Sequence, residues 1–162
     1  MTRETWQRFH DDADPALAER VFRGIVAGVG AAHLAGVVHR DLKPANVWMS
    51  QNPDGGWVPR VGDFGILKML TEEPASPSRT RSDVPLGTPE YMSPEQIRDP
   101  SQVDHRTDLF SLGCILYELV TGGRAFEGDD VLTIARAVRE GTWVPAEQRI
   151  ADLPENVSST LR

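Results

Sequence analysis

Leu17, Val21, Ile25 and Val29 recur every four positions, the spacing that lines up side chains on one face of a helix. Asp14-Pro15 offers a cap followed by a first-turn proline, and Gly36 a stop, so the pattern predicts a helix over residues 15–36. Gly24, Ala27, Gly28, Gly30, Ala31 and Ala32 fall within it, and a second element is expected to approach their small side chains closely. Val37-Val38 is a short β-type run. Val47 to Met49 and Trp57 to Val61 are strand-like and flank QNPDGG, a turn-forming sequence, which predicts a hairpin. Residues 66–92 sustain no period and are rich in Ser, Thr, Pro and Arg, so a long mobile loop is expected there. Thr107 to Thr121 is strongly apolar and closes on Gly122-Gly123, a second helix. Asp129 to Glu140 predicts an amphipathic third, with Val131, Ile134, Ala135 and Val138 on one face. No internal repeat is present. One hairpin among several helices places the chain in a mainly α (α+β) class.

Composition narrows the function. A length of 162 residues suffices for a compact body with a hydrophobic core. The net charge of -7 argues against a nucleic-acid or anionic-membrane surface. The one cysteine, Cys114, lies inside LFSLGCILYELV and reads as a buried helix residue, with no disulfide to make, which fits a reducing compartment. The polar start MTRETWQRFHDD is unlike a signal peptide, and the longest apolar stretch is shorter than a membrane span. A cytoplasmic body is expected, with any membrane anchor outside these residues.

The chemistry concentrates in HRDLKPANV, residues 39–47, and in Asp63. A loop aspartate, Asp41, can accept a proton from a hydroxyl. Lys43 can neutralise a phosphoryl group. Asn46 and Asp63 offer oxygens to a hard cation such as Mg²⁺, which takes few protein ligands and keeps the rest for phosphate and water. The hairpin returns the chain to its start, so Asp41 and Asp63 can face one cleft although 22 residues separate them.

HRDLKPAN resembles the catalytic loop of eukaryotic-like serine/threonine protein kinases. Asp63-Phe64-Gly65 resembles their metal-binding motif. GTPEYMSPE at 87–95 resembles the end of their activation segment, with Ser93-Pro94-Glu95 in place of Ala-Pro-Glu, and DLFSLG at 108–113 the buried helix that follows. The wording is similar to bacterial members of the serine/threonine class. The resemblance runs from about residue 15 to about residue 140, and it implies a large-lobe fold containing the catalytic-loop hairpin, with catalytic loop 39–47, metal motif 63–65 and activation segment 63–95 within a partial domain spanning 1–162. It also implies roles. Asp41 accepts the substrate hydroxyl proton, Lys43 steadies the γ-phosphate of ATP, and Asn46 and Asp63 hold Mg²⁺. Arg40 pairs with a phosphate on the activation segment, with Thr80 the favoured phosphoacceptor among Thr71, Ser76, Ser78, Thr80 and Ser82. Thr88 bonds Asp41 and Lys43, and Asp108 accepts backbone N–H bonds from the catalytic loop. His39 and Phe64 are packing residues, and Glu95 half of an ion pair with an Arg beyond Arg162. His10, His33 and His105 lack metal-ligand spacing.

The same resemblance implies a small lobe carrying a glycine-rich phosphate lid and a strand lysine. No G-x-G-x-x-G with a following strand lysine precedes the helix at 15–36, and GIVAGVG lies within its pattern. The chain is therefore expected to lack the small lobe, to bind ATP poorly by itself and to expose an apolar surface. Its expected partners are a protein substrate and, if the chain is truncated, the small lobe of the same kinase. A non-catalytic kinase-like scaffold is the alternative.

Overall fold

The computed structural model describes residues 15–64, 88–151 and 153. Helix α1 (Pro15–Leu34) is followed by strands β1 (Val47–Gln51) and β2 (Trp57–Val61), then α2 (Pro94–Arg98), α3 (Arg106–Thr121) and α4 (Val131–Glu140), with short 3₁₀ turns at Pro44–Asn46, Pro89–Tyr91, Pro100–Gln102 and Ala146–Gln148. The expected cap Asp14 lies outside the described residues.

Val21, Ile25 and Val29 of α1 are fully buried or nearly so and meet Leu112 and Ile115 of α3 in one core, which continues through Leu42 and Val47 to Phe126, Ile134 and Val138. Each such side chain contributes about 1.5–3 kcal/mol by leaving water. The small-residue face of α1 receives β2. A Cβ on Gly24 would overlap the ring of Pro59, and one on Gly28 would lie 3.3 Å from Val61 Cγ2.

The hairpin pairs antiparallel from Val47↔Val61 to Gln51↔Trp57. Its turn is closed by Asn52, whose Oδ1 accepts the Gly56 N–H at 2.6 Å and whose backbone carbonyl accepts the Gly55 N–H at 2.9 Å. Gly55 takes the positive φ of 79° that the turn requires.

Four local expectations change. Val37-Val38 is not a strand. The Val37 N–H bonds the Ala32 carbonyl (2.9 Å) and the Gly36 N–H the His33 carbonyl (2.9 Å), a Schellman cap that spends the donor a ladder would need. Residues 89–92, assigned above to a mobile loop, are buried: Ser111 Oγ donates to the Tyr91 carbonyl at 2.7 Å, and the Tyr91 hydroxyl donates to Glu118. Helix α2 was not foreseen, although Ser93 and Gln96 form a capping box with Pro94 in the first turn. On α4, Ile134, Ala135 and Val138 are buried as expected, but Val131 is exposed at the first turn. No helix among the described residues is long and apolar enough to cross a membrane.

Candidate active site

The segment between α1 and β1 is held from beneath by α3. Asp108, fully buried in its first turn, accepts the His39 N–H at 2.8 Å and the Arg40 N–H at 2.9 Å. His33 Nε2 donates to the same carboxylate at 2.7 Å. These donors fix the path of the chain as it enters the loop, the part expected of Asp108. Arg40 adopts φ 64°, a left-handed conformation that costs a side-chain-bearing residue on the order of 1–2 kcal/mol. Its backbone carbonyl accepts a bond from Gln96 Nε2 at 2.7 Å.

His39 is fully buried and joins two parts of the site. Its Nδ1 accepts the Asp41 N–H at 3.3 Å, so Nε2 carries the proton and donates to the Gly62 carbonyl at 2.9 Å. The ring also packs on Phe64, centroid to centroid 4.7 Å. The packing assigned to His39 and Phe64 is thus mutual. His39 additionally sets the spacing between the Asp41 loop and the segment that leads to Asp63.

Asp41, Lys43 and Asn46 converge. Lys43 Nζ lies 3.0 Å from Asp41 Oδ2, and both side chains are only about one-fifth exposed. Asn46 Nδ2 donates to the Asp41 carbonyl at 2.8 Å, with a longer contact to Oδ2 at 3.4 Å. That bond commits Nδ2 and leaves Asn46 Oδ1 as an oxygen that could hold a cation. The Gly62 N–H bonds the Asn46 carbonyl at 3.0 Å, which extends the hairpin ladder to the residue before Asp63. Asp63 is exposed and left-handed at φ 53°. No group of three or more His, Cys, Asp or Glu side chains placed to hold a metal ion occurs among the described residues. A neutral amide oxygen with one carboxylate nonetheless suits Mg²⁺, whose remaining positions are filled by phosphate and water.

Sequence reasoning passed over Trp48. Its indole lies directly on Gly62, where a Cβ would overlap the ring, and it remains 42% exposed. A tryptophan two positions after Asn46, inside a short strand-like run, was the available signal. Thr88 is half-buried at the start of the Pro89–Tyr91 turn, and its carbonyl accepts the Tyr91 N–H at 3.3 Å. Thr71, Ser76, Ser78, Thr80, Ser82 and Gly65 lie outside the described residues, as does His10. His33 serves Asp108, and His105 packs edge-on against it at 5.7 Å. An apolar depression of about 830 Å³ lies away from Asp41, lined by residues of the C-terminal half of α1, by Val37-Val38 and by His105.

The family model for the protein kinase domain matches residues 4–162. The chain belongs to the protein kinase family. It is 44% identical over 116 residues to the serine/threonine-protein kinase pkn3 of Myxococcus xanthus, covering 72% of this chain and 21% of that protein. It is 42% identical over 121 residues to PknL of Mycobacterium tuberculosis, covering 75% of this chain and 28% of that one. With PknB of Mycolicibacterium smegmatis the identity is 36% over 148 residues, 91% of this chain and 22% of the relative. All three are named serine/threonine-protein kinases. The chain therefore spans between 21% and 28% of the length of these relatives.

Proposed function

We propose that these residues form the large lobe of a serine/threonine protein kinase of the bacterial type, acting from the cytoplasm, and that they transfer the γ-phosphate of ATP to a protein hydroxyl. The observation that carries this is the convergence of Lys43 Nζ and Asn46 Nδ2 on Asp41, with Asp63 tied in through the Gly62–Asn46 backbone bond. Asp41 accepts the proton of the attacking serine or threonine hydroxyl. Lys43 neutralises charge on the phosphoryl group as it passes. Asn46 Oδ1 and the Asp63 carboxylate hold Mg²⁺, which offsets the phosphate charge. Positioning and charge neutralisation supply most of the rate in such transfers. The exposed indole of Trp48 supports the same reading, because a flat apolar face against Gly62, the residue before Asp63, suits the nucleotide base.

Thr88 is assigned to Asp41 and Lys43, Arg40 to a phosphate on the activation segment, and Thr80 to carrying that phosphate. The glycine-rich lid and strand lysine must come from a small lobe, so the 162-residue polypeptide alone is expected to turn over little.

The test is transfer of radiolabelled phosphate from ATP to a protein substrate, run on the isolated chain and on the protein joined to a small lobe. Transfer by the joined form, lost in Asp41→Asn and in Asp63→Asn, is the expected result. Nucleotide-free docking of a partner with no transfer from either form would favour a scaffold instead. Rapid transfer by the isolated chain would overturn the need for a small lobe.

A further inference from the structure

Gln96 is buried on α2, yet its amide reaches a backbone carbonyl 56 positions earlier in the chain. Its bonds can be ordered by counting protons. Gln96 Oε1 accepts the Ser93 N–H at 3.2 Å and also accepts from the Thr107 hydroxyl. Thr107 has one proton and spends it there, so the 2.9 Å contact between Ser93 Oγ and Thr107 Oγ1 has Ser93 as donor. Ser93 Oγ in turn accepts the Gln96 N–H at 3.3 Å. With its oxygen committed twice, Gln96 presents only its NH₂ group to Arg40, and Nε2 donates to the Arg40 carbonyl at 2.7 Å. Ser93 and Thr107 are fully buried, so no water competes for these groups.

The carbonyl so held belongs to the peptide that joins Arg40 to Asp41. Asp108 grips the N–H of Arg40 on its other side. The left-handed Arg40 is clamped at both ends, which is what a strained residue beside a reacting group requires.

We propose that Gln96 is a positioning residue: by holding the Arg40 carbonyl it sets the orientation of the Arg40–Asp41 peptide and hence the reach of the Asp41 carboxylate. The inference rests on the kinase reading for its catalytic consequence, and on geometry alone for the clamp. It makes the segment from Ser93 to Gln96 a mechanical link between the end of the activation segment and the loop that carries Asp41.

Gln96→Glu separates this role from helix capping. The introduced carboxylate still accepts from Ser93 and Thr107, and a glutamate at this position of a capping box is favourable. It cannot donate to Arg40 unless protonated. The expected result in the 162-residue chain is an unchanged far-UV spectrum with a shifted Arg40 carbonyl ¹³C resonance and faster exchange of the Asp41 amide. In the protein joined to its small lobe, kcat should fall on the order of 10- to 100-fold with the KM for ATP unchanged, and part of the loss should return as pH falls and the carboxyl regains a proton. Wild-type kcat, carbonyl shift and exchange in Gln96→Glu, measured at a pH where the side-chain ¹³C shift shows the carboxyl ionised, would overturn the proposal. A measurement on the wild type needs no variant: the Gln96 side-chain amide protons should exchange slowly, and exchange as fast as that of an exposed amide would also overturn it. Failure of the wild-type protein to transfer phosphate would sink the kinase reading alone, with the clamp still decided by the resonance measurements.

Discussion

Asp108 Oδ1 holds the N–H of Arg40 at 2.9 Å, and the two residues lie 68 positions apart. The carboxylate carries two further donors, from His39 and His33. Asp108→Ala would leave three donors without an acceptor in a buried site, and breaking a buried charge-bearing cluster of this kind costs about 3–5 kcal/mol. Asp108→Asn keeps one oxygen but turns an NH₂ group toward N–H donors, so it should also destabilise, by a smaller amount. Urea denaturation followed by circular dichroism checks both. A midpoint for Asp108→Ala within error of wild type would show that the loop finds its path without α3.

The glycines of α1 divide by what faces them. Gly24 meets the Pro59 ring and Gly28 meets Val61, whereas nothing lies within 4 Å of a Cβ built on Gly30. Gly30→Ala should gain about 0.5–1 kcal/mol through helix propensity and a less flexible unfolded chain. Gly24→Ala gains the same propensity but forces β2 away, at a cost of about 1–3 kcal/mol. Thermal melts of the two variants should move in opposite directions.

Burial pushes the Cys114 thiol up from its ordinary value of 9.0 to about 12, with the nearby Glu118 carboxylate adding to the shift. Burial likewise raises the Tyr91 hydroxyl above its ordinary 10.0, aided by the charge of Glu118 and by the hydrogen bond to it. For both groups the folded chain keeps its proton where the unfolded chain has lost it. Their contribution to stability is therefore complete below about pH 9 and falls as pH rises toward 12. Denaturation midpoints measured from pH 8 upward should decline over that window. At pH 8 a thiol reagent should label Cys114 slowly in the native protein and quickly in denaturant; equal rates would place Cys114 at the surface.

What could be read from the chain depended on how local the cause was. QNPDGG made the hairpin legible because Asn52 closes its own turn. The periodicity of Val21, Ile25 and Val29 was sufficient for α1, and its glycines foretold a close neighbour. Ser93-Pro94-Glu95-Gln96 carried a cap signal for α2 that was read only as part of a motif. Val37-Val38 misled because its N–H is claimed by a helix end, which residue type does not reveal. Of the candidate site, the convergence of Asp41, Lys43 and Asn46 was legible because a single short loop holds them. The left-handed Arg40 was not: arginine has no preference for that conformation, and the Asp108 and Gln96 that impose it are distant in sequence.

Glu90 is 8% exposed and pairs with Arg124, while its Oε2 is buried with no hydrogen-bond partner among the described residues. Arg124 is itself 40% exposed, so water screens part of the pair. Removing one partner is nevertheless worse than removing both. Arg124→Ala leaves a buried carboxylate with no countercharge and should cost about 2–4 kcal/mol at pH 7. Glu90→Leu removes the buried carboxylate and frees Arg124 to reach solvent, so it should cost less than Arg124→Ala. The double variant should then be more stable than Arg124→Ala alone, a coupling that a double-mutant cycle in urea reads directly. Simple additivity of the two changes would mean that the ion pair contributes nothing to holding Pro89–Tyr91 against the end of α3.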